Sequence, residues 1–89
     1  MLVLSRTVGK SLLINDELLL TVIVVGRDFI EIVITPPTSE KQRPMTLGVN
    51  QRMDLPYEVS LVVIRIADGK VRLGIEYPKD VTITRPEDK

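Results

Sequence analysis

The chain has 89 residues, enough for one small domain, and at 44% apolar and 27% charged it has the composition of a folded rather than a disordered protein. Twelve Lys and Arg balance twelve Asp and Glu. A neutral chain has no global field for nucleic acid, which counts against a non-specific coating protein. There is no Cys and no His, which excludes disulfide frameworks, thiolate zinc sites and the commonest general base.

In chain order the pattern reads as all β, because Val and Ile dominate and β-branched residues favour strands. Leu2 to Arg6 reads as a short strand, with Leu2, Leu4 and Arg6 on one face. Glu17 to Val25 is a nearly continuous apolar run, the signature of a strand buried on both faces. Arg27-Asp28 is a polar break. Phe29 to Thr35 alternates, with Ile30, Ile32 and Ile34 on one face and Glu31 on the other, and Pro36-Pro37 stops it. Residues 38–44 are polar and read as a loop. Met45 to Leu55 fits no single pattern. Glu58 to Ile66 is another apolar strand. Asp68-Gly69 is a hairpin signal, since a type I′ turn needs positive φ at both central residues. Lys70 to Tyr77 alternates, with Val71, Leu73, Ile75 and Tyr77 inward and Lys70, Arg72 and Glu76 outward. Val81 to Arg85 reads as a last strand, with Val81, Ile83 and Arg85 on one face, before a polar tail from Pro86 to Lys89. No helix is expected. The longest apolar runs are too short to span a bilayer, and Met1 to Gly9 lacks the pattern of a signal peptide, so a cytoplasmic protein is expected.

The chain repeats itself. Sliding it by 41 residues lays Glu17 to Pro37 on Glu58 to Pro78. Glu17/Glu58, Leu20/Leu61, Val22/Val63, Ile23/Ile64, Ile34/Ile75 and Pro37/Pro78 are identical, where chance gives roughly two or three identities in two such apolar stretches. The repeat covers approximately residues 4–41 and 45–82 within a single domain, 1–89. The ends do not follow it. Leu4-Ser5-Arg6 falls on Met45-Thr46-Leu47, without an Arg, and Val81 to Arg85 falls on Glu40 to Pro44, without strand character.

Catalysis is not expected. Ser5, Ser11, Ser39 and Ser60 have no histidine to activate them, and the five glycines form no phosphate loop. No cofactor or metal is implied. Two edge strands carrying Leu4, Arg6, Ile83 and Arg85 would instead suit single-stranded RNA, because aliphatic side chains and guanidinium planes pack against splayed bases.

Leu4-Ser5-Arg6 with Val8-Gly9, and Val71-Arg72-Leu73-Gly74-Ile75 with Pro78-Lys79-Asp80-Val81, resemble the first and last strands of the CsrA/RsmA carbon storage regulators. The resemblance covers about residues 1–17 and 58–85. It implies a small bacterial all-β barrel or sandwich of interleaved antiparallel hairpins, here with two pseudo-symmetric halves on one chain in place of a dimer. It also implies translational regulation through messenger RNA carrying a GGA element, single-stranded or in a hairpin loop. By that resemblance the RNA-binding residues are Leu4, Ser5 and Arg6 with Val81, Ile83, Thr84 and Arg85, forming one composite site. The chain departs from the family pattern at Thr7, Thr84 and Pro86, and each departure weakens RNA affinity. A monomer is expected, with a swapped homodimer as the other arrangement. The alternative function is a protein-interaction module that has lost RNA binding and acts through an antagonist or a CsrA-like relative.

Overall fold

The computed structural model describes residues 1–35 and 44–86. The expected stop at Pro36-Pro37, the loop up to Arg43 and the tail from Glu87 lie outside the described residues. Nine strands follow in order: β1 Leu2–Arg6, β2 Ser11–Ile14, β3 Leu18–Val25, β4 Phe29–Thr35, β5 Met45–Gly48, β6 Arg52–Leu55, β7 Val59–Ala67, β8 Lys70–Glu76 and β9 Ile83–Thr84. A short 3-10 turn, Pro56–Glu58, joins β6 to β7.

The strands form two antiparallel sheets, one ordered β1-β8-β7-β6 and the other β5-β4-β3-β2-β9. Their pairing is the same at an offset of 41. Leu4 pairs with Leu73 as Met45 pairs with Ile32. Ser11 pairs with Thr21 as Arg52 pairs with Val62. Val22 pairs with Ile32 as Val63 pairs with Leu73. Even the irregularities coincide: the register shifts between Val22 and Val24 in β3 and between Val63 and Arg65 in β7. The two halves are interleaved, because β1 of the first half pairs with β8 of the second, and β5 of the second pairs with β4 of the first. β9 alone has no counterpart strand among the described residues.

The inward side chains of both sheets build one core, including Leu12, Leu20, Val22, Ile30, Ile32, Leu61, Val63, Val71, Leu73 and Ile75. Alternation explains most of it: Ile30, Ile32 and Ile34 are all buried while Glu31 is not. The Asp68-Gly69 turn has both residues at positive φ, 54° and 74°, as a type I′ hairpin requires.

Three expectations need correction. The run Glu17 to Val25 is not buried on both faces; β3 begins at Leu18 and alternates, and Ile23 is 36% exposed because only one face meets the core. Tyr77 lies beyond the end of β8 and is 41% exposed rather than inward. The last strand is only Ile83–Thr84, with Val81 and Arg85 outside it. The unassigned stretch Met45 to Leu55 holds β5 and β6, each four residues long. The halves are also tied at their turns, where the Tyr57 hydroxyl donates to Glu17 Oε2.

Candidate nucleic-acid interface

The expected site draws on β1 and the segment around β9, and both reach β2. Arg6 closes β1 on its core-facing side, in line with Leu2 and Leu4, which pack partly buried against the core. Arg6 itself is only 7% exposed. Its Nε donates to the Ser5 carbonyl at 2.8 Å and its Nη1 to the Ser11 carbonyl at 3.1 Å. The guanidinium therefore links the end of β1, in one sheet, to the first residue of β2, in the other. The expectation that two arginines are presented to solvent does not hold for Arg6. The face shared by Leu2, Leu4 and Arg6 is the inner one, and Arg6 occupies a core position whose counterpart at the offset of 41 is Leu47, 2% exposed.

β9 docks on the same strand from its other edge. Thr84 pairs with Leu13 and Ile83 with Ile14. The Asn15 N–H donates to the Thr82 carbonyl at 2.7 Å, extending that seam. Val81 is buried in the core, its N–H donating to the Pro78 carbonyl at 3.1 Å, and Ile83 packs half-buried against the core. Thr84 Oγ1 is buried without a hydrogen-bond partner among the described residues. Because β9 runs antiparallel to β2, the chain leaving Thr84 heads toward the Ser11 end of β2, and Arg85, which is exposed, follows there. Leu4 is half-buried opposite Leu73, whereas Ser5 is exposed opposite Arg72. Of the expected residues, then, Ser5 and Arg85 are open to solvent, Leu4, Ile83 and Thr84 are partly so, and Arg6 and Val81 are buried. The counterpart site would use Glu40 to Pro44, which except for Pro44 lies outside the described residues, and Met45–Gly48, which is β5.

The described residues hold no group of three or more His, Cys, Asp or Glu placed to bind a metal, and no helix long and apolar enough to cross a membrane.

Fold and site together define a class: a small all-β domain of two interleaved antiparallel sheets whose first and last segments meet on one strand. Residues 48–87 match the CsrA family, described as a global regulator protein family. The chain is 47% identical over 38 residues to a translational regulator CsrA of Alkaliphilus metalliredigens, covering 43% of this chain and 51% of that protein. It is 42% identical over 43 residues to a translational regulator CsrA of Hydrogenovibrio crunogenus, covering 48% of this chain and 61% of that protein. The C-terminal half of the chain is thus similar to the CsrA family. The aligned stretches span between half and two thirds of these relatives. No solved structure matches the chain.

Proposed function

We propose that the chain is a cytoplasmic, non-catalytic post-transcriptional regulator that binds GGA-containing messenger RNA at one composite site. The observation that carries this reading is the meeting of the first and last segments on β2, where Arg6 holds the Ser11 carbonyl and β9 pairs at Leu13 and Ile14. The family match supports it, since it spans the whole β8–β9 segment with Arg85. The repeated registers support a chain that has absorbed both halves of a dimer by internal duplication, with one site kept and the other eroded.

Exposed Arg85 and Ser5 are the polar groups that would meet the RNA, and the partly exposed Leu4, Ile83 and Thr84 would border it. Arg6 positions β1 rather than touching a base. Calorimetric titration with a short GGA hairpin is the test. One RNA per chain is expected, and Arg85→Ala should weaken binding roughly tenfold or more, as loss of a charge-assisted contact does. Arg52→Ala, on the exposed face of β6, should leave it within about twofold, as a rim charge does. Two sites per chain would refute the erosion argument.

A second reading is favoured by one observation. Val3 on the outer strand β1 and Met1 just before it are large apolar residues left exposed, and such an edge invites a protein partner. Absence of saturable binding to the hairpin at moderate salt would support that reading instead.

A further inference from the structure

The outer face of the β1-β8-β7-β6 sheet carries a feature that neither the repeat nor the β1/β9 site explains. Arg65 and Arg72 are direct cross-strand partners. Directly opposed residues have Cβ atoms about 4.5–5.5 Å apart, and like charges so placed repel. The bulge in β7 creates the pairing. Val63 points into the core, so regular alternation would turn Ile64 out and Arg65 in. The extra residue at Ile64 turns Arg65 outward and returns Ile66 to the core side.

These arginines line an open hollow of about 210 Å³ with Ser5, Ala67, Asp68 and Lys70. Ser5 is itself the register partner of Arg72, which places a hydroxyl beside the guanidinium. Three cations thus face one carboxylate. The side chains of Arg65, Lys70 and Arg72 make no hydrogen bond or ion pair with other described residues. The other sheet has the same bulge and the same registers, with different chemistry. There Val24 pairs with Glu31, Phe29 stands where Lys70 does, and Thr46 where Ser5 does. The basic hollow therefore belongs to one half of the pseudo-symmetric body and does not follow from its backbone.

We propose that the hollow bounded by Arg65, Arg72, Lys70 and Ser5 is an oxyanion site that takes a phosphate group. Two guanidinium forks offer paired N–H donors to tetrahedral phosphate oxygens, Lys70 adds an ammonium and Ser5 a hydroxyl donor. Binding converts the opposed like charges into two attractions to one ligand. The phosphate is either a phosphodiester of RNA lying across this sheet or a free phosphate compound. The hollow shares Ser5 with the β1/β9 site, but its three cations lie outside that site, and their phosphate binding is tested whether or not the hairpin binds.

Inorganic pyrophosphate titrated into the full chain at low ionic strength tests it, with Arg65→Gln, Arg72→Gln and, as control, Arg52→Gln. Saturable binding is expected, weakened about tenfold by either of the first two changes and unchanged by the third. All three side chains are exposed, so the fold is not at risk. Arg72→Gln should also raise the melting temperature at low salt, because it removes the opposed charge. A uridine hexanucleotide separates the two sources. If it binds more tightly than pyrophosphate, and Arg72→Gln lowers the slope of log affinity against log salt by about 1, the ligand is an RNA backbone. If pyrophosphate binds and the hexanucleotide does not, the ligand is a free phosphate compound. No saturable pyrophosphate binding, or an equal loss from Arg52→Gln, overturns the proposal. A failed GGA titration with intact pyrophosphate binding would count against the RNA reading of the β1/β9 site alone.

Discussion

Replacing Arg6 separates its role in the fold from any role in binding. The side chain is 93% covered and linked to the Ser5 and Ser11 carbonyls. Arg6→Ala removes the buried methylenes beyond Cβ, worth about 0.8 kcal/mol each for the two of them. It also leaves the Ser11 carbonyl short of a partner, a cost of about 1–3 kcal/mol, partly offset because a guanidinium no longer has to be desolvated. The net loss is about 2–4 kcal/mol. Arg6→Leu restores the apolar volume, and Leu47 shows that a leucine fits the equivalent position of the other sheet. It should therefore be more stable than Arg6→Ala by about 1.5 kcal/mol. Urea denaturation followed by far-ultraviolet circular dichroism would measure both, and in a domain of this size each 1 kcal/mol also moves the melting temperature by about 4–8 °C. Equal midpoints for the Ala and Leu variants, or an Ala variant as stable as the parent, would show that Arg6 is not the link between the sheets.

Three further outcomes are expected. Leu61→Ala and Leu20→Ala, at equivalent core positions, should each cost about 2–4 kcal/mol, and a denaturation midpoint unchanged in either would mean that its sheet faces the other way. Light scattering should find a monomer of 10.0 kDa at low micromolar concentration, since one chain supplies every strand of both sheets, and a stable dimer would sink the fused-dimer reading. The hydrogen bond to Glu17, with smaller contributions from burial and from the Glu17 charge, raises the Tyr57 phenol above its ordinary value of 10.0. The folded state thus favours the protonated phenol, so this contribution is complete below pH 10 and is lost as pH rises through the folded value. Ultraviolet titration should show Tyr57 ionising late, and Glu17→Gln should bring it down.

Local pattern was legible wherever one face of a strand met the core. Ile30, Ile32 and Ile34 were placed correctly by alternation alone, and Asp68-Gly69 by the φ angles that its turn needs. The pattern could say that Leu2, Leu4 and Arg6 share a face, but not which face is inside. An arginine looks like a surface residue until carbonyls are found within its reach, and Ser11 comes within reach only through tertiary packing. The β3 run misled because a domain this small has too little polar surface to cover both sheets, so Ile23 stays exposed beside the bulge. β5 and β6 were obscure because four residues with Thr46, Arg52 and Asp54 among them leave too few apolar positions for a period to show. Arg65 left a trace, as the one charge inside the apolar run of β7, but its outward aim depends on the bulge.

The crossing of the first strands also sets when the protein can fold. Leu2 pairs with Ile75, so β1 has no partner until β8 exists. A nascent chain leaving the ribosome can zip β2, β3 and β4 as local hairpins, but β1 must wait with an open edge until the chain has been translated through β8. Such distant pairing is slow, because loop closure comes before any reward from contact. Synthesis rate and chaperone access during that interval should therefore govern how much of the chain reaches its closed form. A transcript cut short before β8 would yield a polypeptide whose opening strand has nowhere to dock.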